Sequence, residues 1–236
     1  MFIDHTNGRV PDVIEGRDKG LIVKYLRANK GGLLAHLEEV TCDTWDAYVN
    51  ATAEVFGDEV KVTIDRFHVM KNFQERLTDA RRQIQRGLDK EAAKELKGSR
   101  WLWVKNGENL TQEERQEPET LKGKFPQLKE LAQQREGLRS IFEDVAIETA
   151  EEGQKRLQAW VAEAGKLGLR GLDAFCKTLS NWMGKIANYF IWRSSNGRTE
   201  GFNHGPRAIL WRAFGMANFR NFRLRVLDRF GSQRKP

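Results

Sequence analysis

Apolar positions in the first 65 residues come in short runs broken by turn residues, whereas beyond Arg66 they recur at helical spacing through long charged stretches. FIDHTNGRVPDVIEGR places two β-rich runs on either side of Asn7-Gly8, a pairing that predicts a hairpin. GGLLAHLE at 31 to 38 has helical spacing, VTCD at 40 to 43 is a short buried strand, and TWDAYVNATAEVF at 44 to 56 is helical again. VKVTID at 60 to 65 gives a second buried strand. Both strands end in an aspartate, Asp43 and Asp65, and each is followed by a helix.

From Arg66 to about Tyr189 the chain is rich in helix formers and poor in β-branched residues, as in FHVMKNFQERLTDARRQIQRGLDKEAAKELK. It reads as a helical insert. Thr111 and Glu114 make a capping box, and Gly98, Pro118, Gly123 and Pro126 punctuate the insert before helices at about 127 to 165 and 172 to 191. The expected organisation is 1–65 as an α/β portion with a hairpin, two strands and two helices, 66–189 as the insert, and 190–236 as a C-terminal segment.

Charge changes this picture in one place. From Asn181 onward there are 11 Lys and Arg against two acids, a net of +9, while the preceding 180 residues carry 29 basic and 31 acidic groups. That last quarter also holds ten of the 23 aromatic residues. Guanidinium groups bind phosphate and aromatic faces accept unstacked bases, so Arg198, Arg207, Arg212, Arg220, Arg223 and Arg225 are candidate DNA contacts. The competing reading is an amphipathic helix with arginine on its wet face and Phe on its core face. Cys42 and Cys176 belong to no CxxC pair, so neither a zinc ribbon nor a disulfide framework is indicated. No apolar run approaches the roughly 20 residues that cross a bilayer, and the expected location is the cytoplasm.

Carboxylates at strand ends and at the start of a late helix are the materials of a two-metal phosphoryl-transfer site, because Mg²⁺ and Mn²⁺ prefer oxygen ligands. Asp43 is the first candidate. Its alternative role is to cap the helix beginning at Thr44, and Asp65 has the same alternative ahead of Arg66 and His68. Glu200, in SSNGRTEGFNHG, falls about one turn inside a helix capped by Ser194, Ser195 or Asn196, where an isolated glutamate is ordinarily a solvated surface residue.

Together, VTCDTWDAY, TIDRFHVMKNF, KGSRWLWVKNGENLT, SSNGRTEGFN and RAFGMANFRNFRLRVL resemble, in order, the landmarks of the ISL-three type of insertion-sequence transposases, from about Phe2 to Leu227. The resemblance implies an α/β, RNase H-like core interrupted by a large helical insertion. It implies metal-dependent DNA cleavage and strand transfer by an Asp, Asp, Glu triad with Mg²⁺ or Mn²⁺, and a homo-oligomer acting on DNA. By position, the second aspartate of the triad falls on Asp43 and the glutamate on Glu200. Asp65, Arg66 and His68 match a family block that is not part of the triad. Asp4 falls on the second strand of the family's sheet rather than on the strand that carries the first aspartate, so the expectation is a truncated copy with that strand missing and with little activity. Gly205-Pro206 departs from the family's pattern, and the proline is expected to break or restart the helix about a turn beyond Glu200. A noncatalytic DNA-binding remnant acting through the basic C-terminus is the alternative function.

Overall fold

The computed structural model describes residues 1–96, 124–194, 197–213, 215–216 and 218–231, with residues 197–203 described by their backbone alone. The chain divides into two compact units, Met1–Phe67 with Ser194–Pro236, and His68–Arg193. The fold is helix-rich α/β. The capping box at Thr111 and the punctuation at Gly98, Pro118 and Gly123 lie outside the described residues.

In the first unit, β1 (Phe2–Asp4) and β2 (Arg9–Asp12) form an antiparallel hairpin. Gly8 takes the left-handed φ of 61° in the connection, a conformation open to glycine at no steric cost. Helix α1 (Lys19–Asn29) follows, its first turn capped by the Asp18 carboxylate, which accepts from the Leu21 amide. This corrects the helix expected over residues 31 to 38, where 31–36 form turns and 37–38 lead without regular structure into the next strand. Ile22, Val23 and Leu26 supply a buried helical stripe upstream of that stretch, and the flexible Gly31-Gly32 pair disfavours helix within it.

Strand β3 (Glu39–Cys42), helix α2 (Asp46–Phe56) and strand β4 (Lys61–Ile64) make a β/α/β unit in which β3 and β4 pair in parallel, Thr41 opposite Thr63 and Cys42 opposite Ile64. Strand side chains alternate between faces. Val40 and Val60 pack against a core of Ile22, Val23 and Leu26 from α1 with Ala51 and Phe56 from α2. The opposite face therefore carries Glu39, Thr41 and Asp43 from one strand and Lys61, Thr63 and Asp65 from the other, and it is polar throughout.

The same unit ends in α10 (Gly197–Arg212) and α11 (Phe219–Phe230), numbered after the helices of the second unit. Val226 and Phe230 of α11 bury against Val10 and Val13 of the hairpin region, joined by Ile3, Ile209, Phe219 and Phe222. Contrary to expectation, α10 runs through Pro206 without ending. A proline costs a helix one hydrogen bond, and here packing offsets it. Pro206 is buried, and Gly205 admits the Phe230 ring so closely that an added Cβ would lie 2.3 Å from it.

The second unit is helical. It contains α3 (Arg66–Arg86) from His68 onward, α4 (Lys90–Glu95), α5 (Pro126–Glu143), α6 (Ala150–Gly165), α7 (Arg170–Asn181), α8 (Met183–Ala187) and α9 (Tyr189–Trp192). The helical stretch expected over about 127 to 165 is made of two helices, because Thr149 caps a new start by accepting from the Glu152 amide. Trp160 packs edge to face against Phe73 and Phe175, which are tilted against each other, and the Trp160 indole N–H donates to the Gln134 carbonyl at 2.9 Å. Among the described residues, no helix is long and apolar enough to cross a membrane.

Candidate functional site

Parallel pairing carries Asp43 and Asp65 to the same end of the sheet. Each is the residue after the last one of its strand, and the Asp65 amide donates to the Cys42 carbonyl at 2.9 Å, extending the ladder to the level of Asp43. The carboxyl ends of strands are where open α/β sheets present ligand-binding groups.

The two aspartates then differ. Asp65 is fully buried and its Oδ1 accepts from the Phe67 amide at 3.1 Å, so the helix-capping role is real for this residue. Asp43 does not cap. The N-cap of α2 is Trp45, with no side-chain hydrogen bond, and the Asp43 carbonyl rather than its carboxylate accepts from the Trp45 amide at 2.8 Å. Two residues separate Asp43 from the helix start, too many for its side chain to serve the first turn from the cap position. Its Oδ1 is buried without a hydrogen-bond partner. A buried anionic oxygen without a partner is costly, which makes this atom fit for a cation. Burial raises the Tyr48 hydroxyl pKa above its ordinary value, the Asp43 carboxylate adds to the rise, and Arg17 opposes it. Arg17 also stacks 4.4 Å over the half-exposed Trp45 ring.

Glu39 is a residue the sequence reading missed. It lies four positions before Asp43, on the same face, and its two oxygens accept from Thr63 Oγ1 and Ser194 Oγ, each at 2.5 Å. Nothing in the local sequence marks it, since its partners are 24 and 155 residues away. Helix α10 carries Arg198 and Glu200 in its first turn, but the side chains of both lie outside the described residues. Among the described residues, no cluster of three or more His, Cys, Asp or Glu forms a metal-binding group. Arg66 and His68 are half-buried in the first turn of α3.

Asp4 is engaged in the hairpin. Oδ1 accepts from the Asn7 amide, and Oδ2 accepts from Asn7 Nδ2 at 2.8 Å and Arg9 Nε at 3.0 Å. Burial raises its pKa, but the bonds from Asn7 and Arg9 outweigh burial and leave it below the ordinary carboxylate value. A depressed folded pKa means that the hairpin gains stability above the unfolded value of about 3.9 and loses it as pH falls through the folded value. Asp4→Asn should therefore remove part of the acid sensitivity of unfolding below about pH 4 while leaving Mn²⁺ affinity unchanged. A weakened Mn²⁺ affinity in this variant would make Asp4 a ligand.

The basic C-terminus separates into two kinds of arginine. Arg207, Arg212, Arg220 and Arg225 are exposed. Trp211, between the first two, is 80% exposed. Arg223 instead donates from Nε to Asp12 Oδ1 at 2.6 Å, which ties α11 to the hairpin. Arg193, in the second unit, is likewise internal: its guanidinium donates to the carbonyls of Phe142, Asp144 and Ile147.

The fold and site thus define an α/β protein with an acidic strand-end pair and a basic helical C-terminus. A family model described as Transposase, that of the ISL-three type of DDE transposases, matches residues 1–226, and the chain belongs to this family. By family it is an insertion-sequence transposase, a nucleic-acid-cleaving enzyme with DNA as its partner. Comparison with curated proteins and with solved structures returned no match.

Proposed function

We propose that this transposase performs metal-dependent DNA cleavage and strand transfer, with Asp43 and Glu200 as catalytic carboxylates and metal ligands. The observation that carries the reading is the buried, unpartnered Oδ1 of Asp43 at the carboxyl end of β3. Family membership supports an RNase H-like core built from the first unit, with the second unit as the helical insertion and Mg²⁺ or Mn²⁺ as the cofactor. When bound, such ions supply Lewis acidity and lower the pKa of attacking water. Asp43 offers its free oxygen, while Asp65 holds the start of α3 and keeps the neighbouring strand end in place. Asp4, with both oxygens engaged, does not supply a third carboxylate.

DNA contact is assigned to the exposed basic and aromatic surface of α10 and α11. Arg207, Arg212, Arg220 and Arg225 face phosphate, Arg198 joins them from the first turn of α10, and Trp211 offers a ring face to an unstacked base. Strand transfer further calls for more than one copy on the DNA, in the cytoplasm. Neutralising Arg220 and Arg225 together should reduce the slope of log affinity against log salt by about 1.8, at roughly 0.9 per phosphate contact. Arg223→Ala should leave the slope in place and cost stability instead, by about 1 kcal/mol or less for a half-exposed pair. An unchanged slope in the double variant would return those arginines to the fold.

A further inference from the structure

The geometry points to Glu39 as a positioning residue that aligns the Glu200-bearing helix with the strand carrying Asp43, an inference that rests on the metal-site reading above. One carboxylate joins three chain segments. Oε1 accepts from Thr63 of β4, two residues before Asp65, and Oε2 accepts from Ser194, three residues before α10 begins. Glu39 itself is the first residue of β3, and alternation puts its side chain on the face of Asp43. The tether thus holds Ser194 against the strand that ends on Asp43, about 13 Å of strand from it, and α10 begins three residues, at most about 10 Å of chain, beyond Ser194.

The other end of α10 is secured separately. Gly205 packs under Phe230, and Ile209 joins the hairpin cluster, but both lie beyond Glu200. Ser194 is the last described residue before α10, and its bond to Glu39 anchors the chain there. Two hydroxyl donors converging on one carboxylate also explain why an acid stands at the start of a strand whose other charged end is the site. Each carboxylate oxygen accepts from one hydroxyl.

The test is Mn²⁺ affinity of the whole chain, followed by electron paramagnetic resonance titration, in a double-variant cycle. Glu39→Ala should weaken Mn²⁺ binding by about tenfold, within the range found when outer-shell partners of metal ligands are removed. Glu39→Gln, which still offers one acceptor, should retain most of the affinity. In a Glu200→Gln background, Glu39→Ala should add no further loss, because the group it positions is already gone. Amide hydrogen exchange at residues 197 to 201 should quicken in Glu39→Ala and stay near wild type in Glu39→Gln. Ser194→Ala cuts the same tether from the other side, and should reproduce these results if Glu39→Ala folds poorly. An equal loss in both backgrounds, or no loss in either, overturns the positioning role. Unchanged affinity in Glu200→Gln alone overturns the metal-site reading instead, and the proposal with it.

Discussion

Replacing Asp43 with asparagine is expected to lower Mn²⁺ affinity by at least about 100-fold, beyond the 10- to 100-fold that loss of an outer-shell partner produces. Asparagine keeps the shape of the side chain and removes its charge, so the fold should be preserved. Stability should even rise slightly, since the buried Oδ1 no longer belongs to an anion without a hydrogen-bond partner. The combination is diagnostic: a structural aspartate loses stability on neutralisation, whereas a ligand loses its ion. Asp65→Ala provides the contrast. Asp65 is fully buried and accepts from the Phe67 amide, so removing that acceptor should destabilise the start of α3. Isothermal titration with Mn²⁺ beside urea unfolding measures both quantities, and an Asp43→Asn chain that binds Mn²⁺ as wild type does would remove Asp43 from the site.

Arg193→Ala is expected to destabilise the second unit by about 3 kcal/mol, the scale of charge-assisted hydrogen bonds lost to partly buried acceptors. Its guanidinium donates from Nη1 to Phe142 O at 3.0 Å and from Nη2 to Asp144 O at 2.6 Å and to Ile147 O, closing the turn between α5 and α6. It also lies 5.1 Å from the Phe190 ring centre; its backbone, with φ at 54°, ends α9, while its side chain secures a turn some 46 to 51 residues away in sequence. Lysine should not rescue it, because one ammonium does not reproduce a planar fork across three carbonyls. Urea midpoints with an unchanged slope would report the loss, while the salt dependence of DNA binding should stay as it was. A reduced salt slope with little change in stability would place Arg193 on DNA.

Arg193 and Arg223 also show where reading charge along a chain falls short. Both count toward the +9 of the last quarter, yet one is bonded to carbonyls and the other to Asp12, 211 residues away. Net charge is a property of composition; which guanidinium groups remain available to a phosphate is a property of packing. Asp4 carries the same lesson with opposite sign, being an acid near the start of the chain whose oxygens are already engaged by Asn7 and Arg9.

The sequence by itself determined the elements whose cause is local. Asn7-Gly8 specifies the hairpin connection, and the β-branched runs ending at Cys42 and Ile64 specify two strands closing on aspartates. The ordered landmarks from VTCDTWDAY to RAFGMANFRNFRLRVL specify the transposase family, because their order survives without any knowledge of contacts. Tertiary structure decided what depends on distant partners. It placed a helix at Lys19–Asn29, where Ile22, Val23 and Leu26 meet the core, and not at the helically spaced residues that follow. It carried α10 through Pro206, because burial of the proline and the Phe230 ring against Gly205 offset a lost backbone bond. It separated Asp43 from Asp65, two strand-end acids alike in sequence, by giving one a helix to cap and leaving the other a buried oxygen without a partner. Periodicity and turn chemistry act over a few residues and are written in the chain. Hydrogen-bond satisfaction is settled only when segments such as Glu39 and Ser194, 155 residues apart, are brought together.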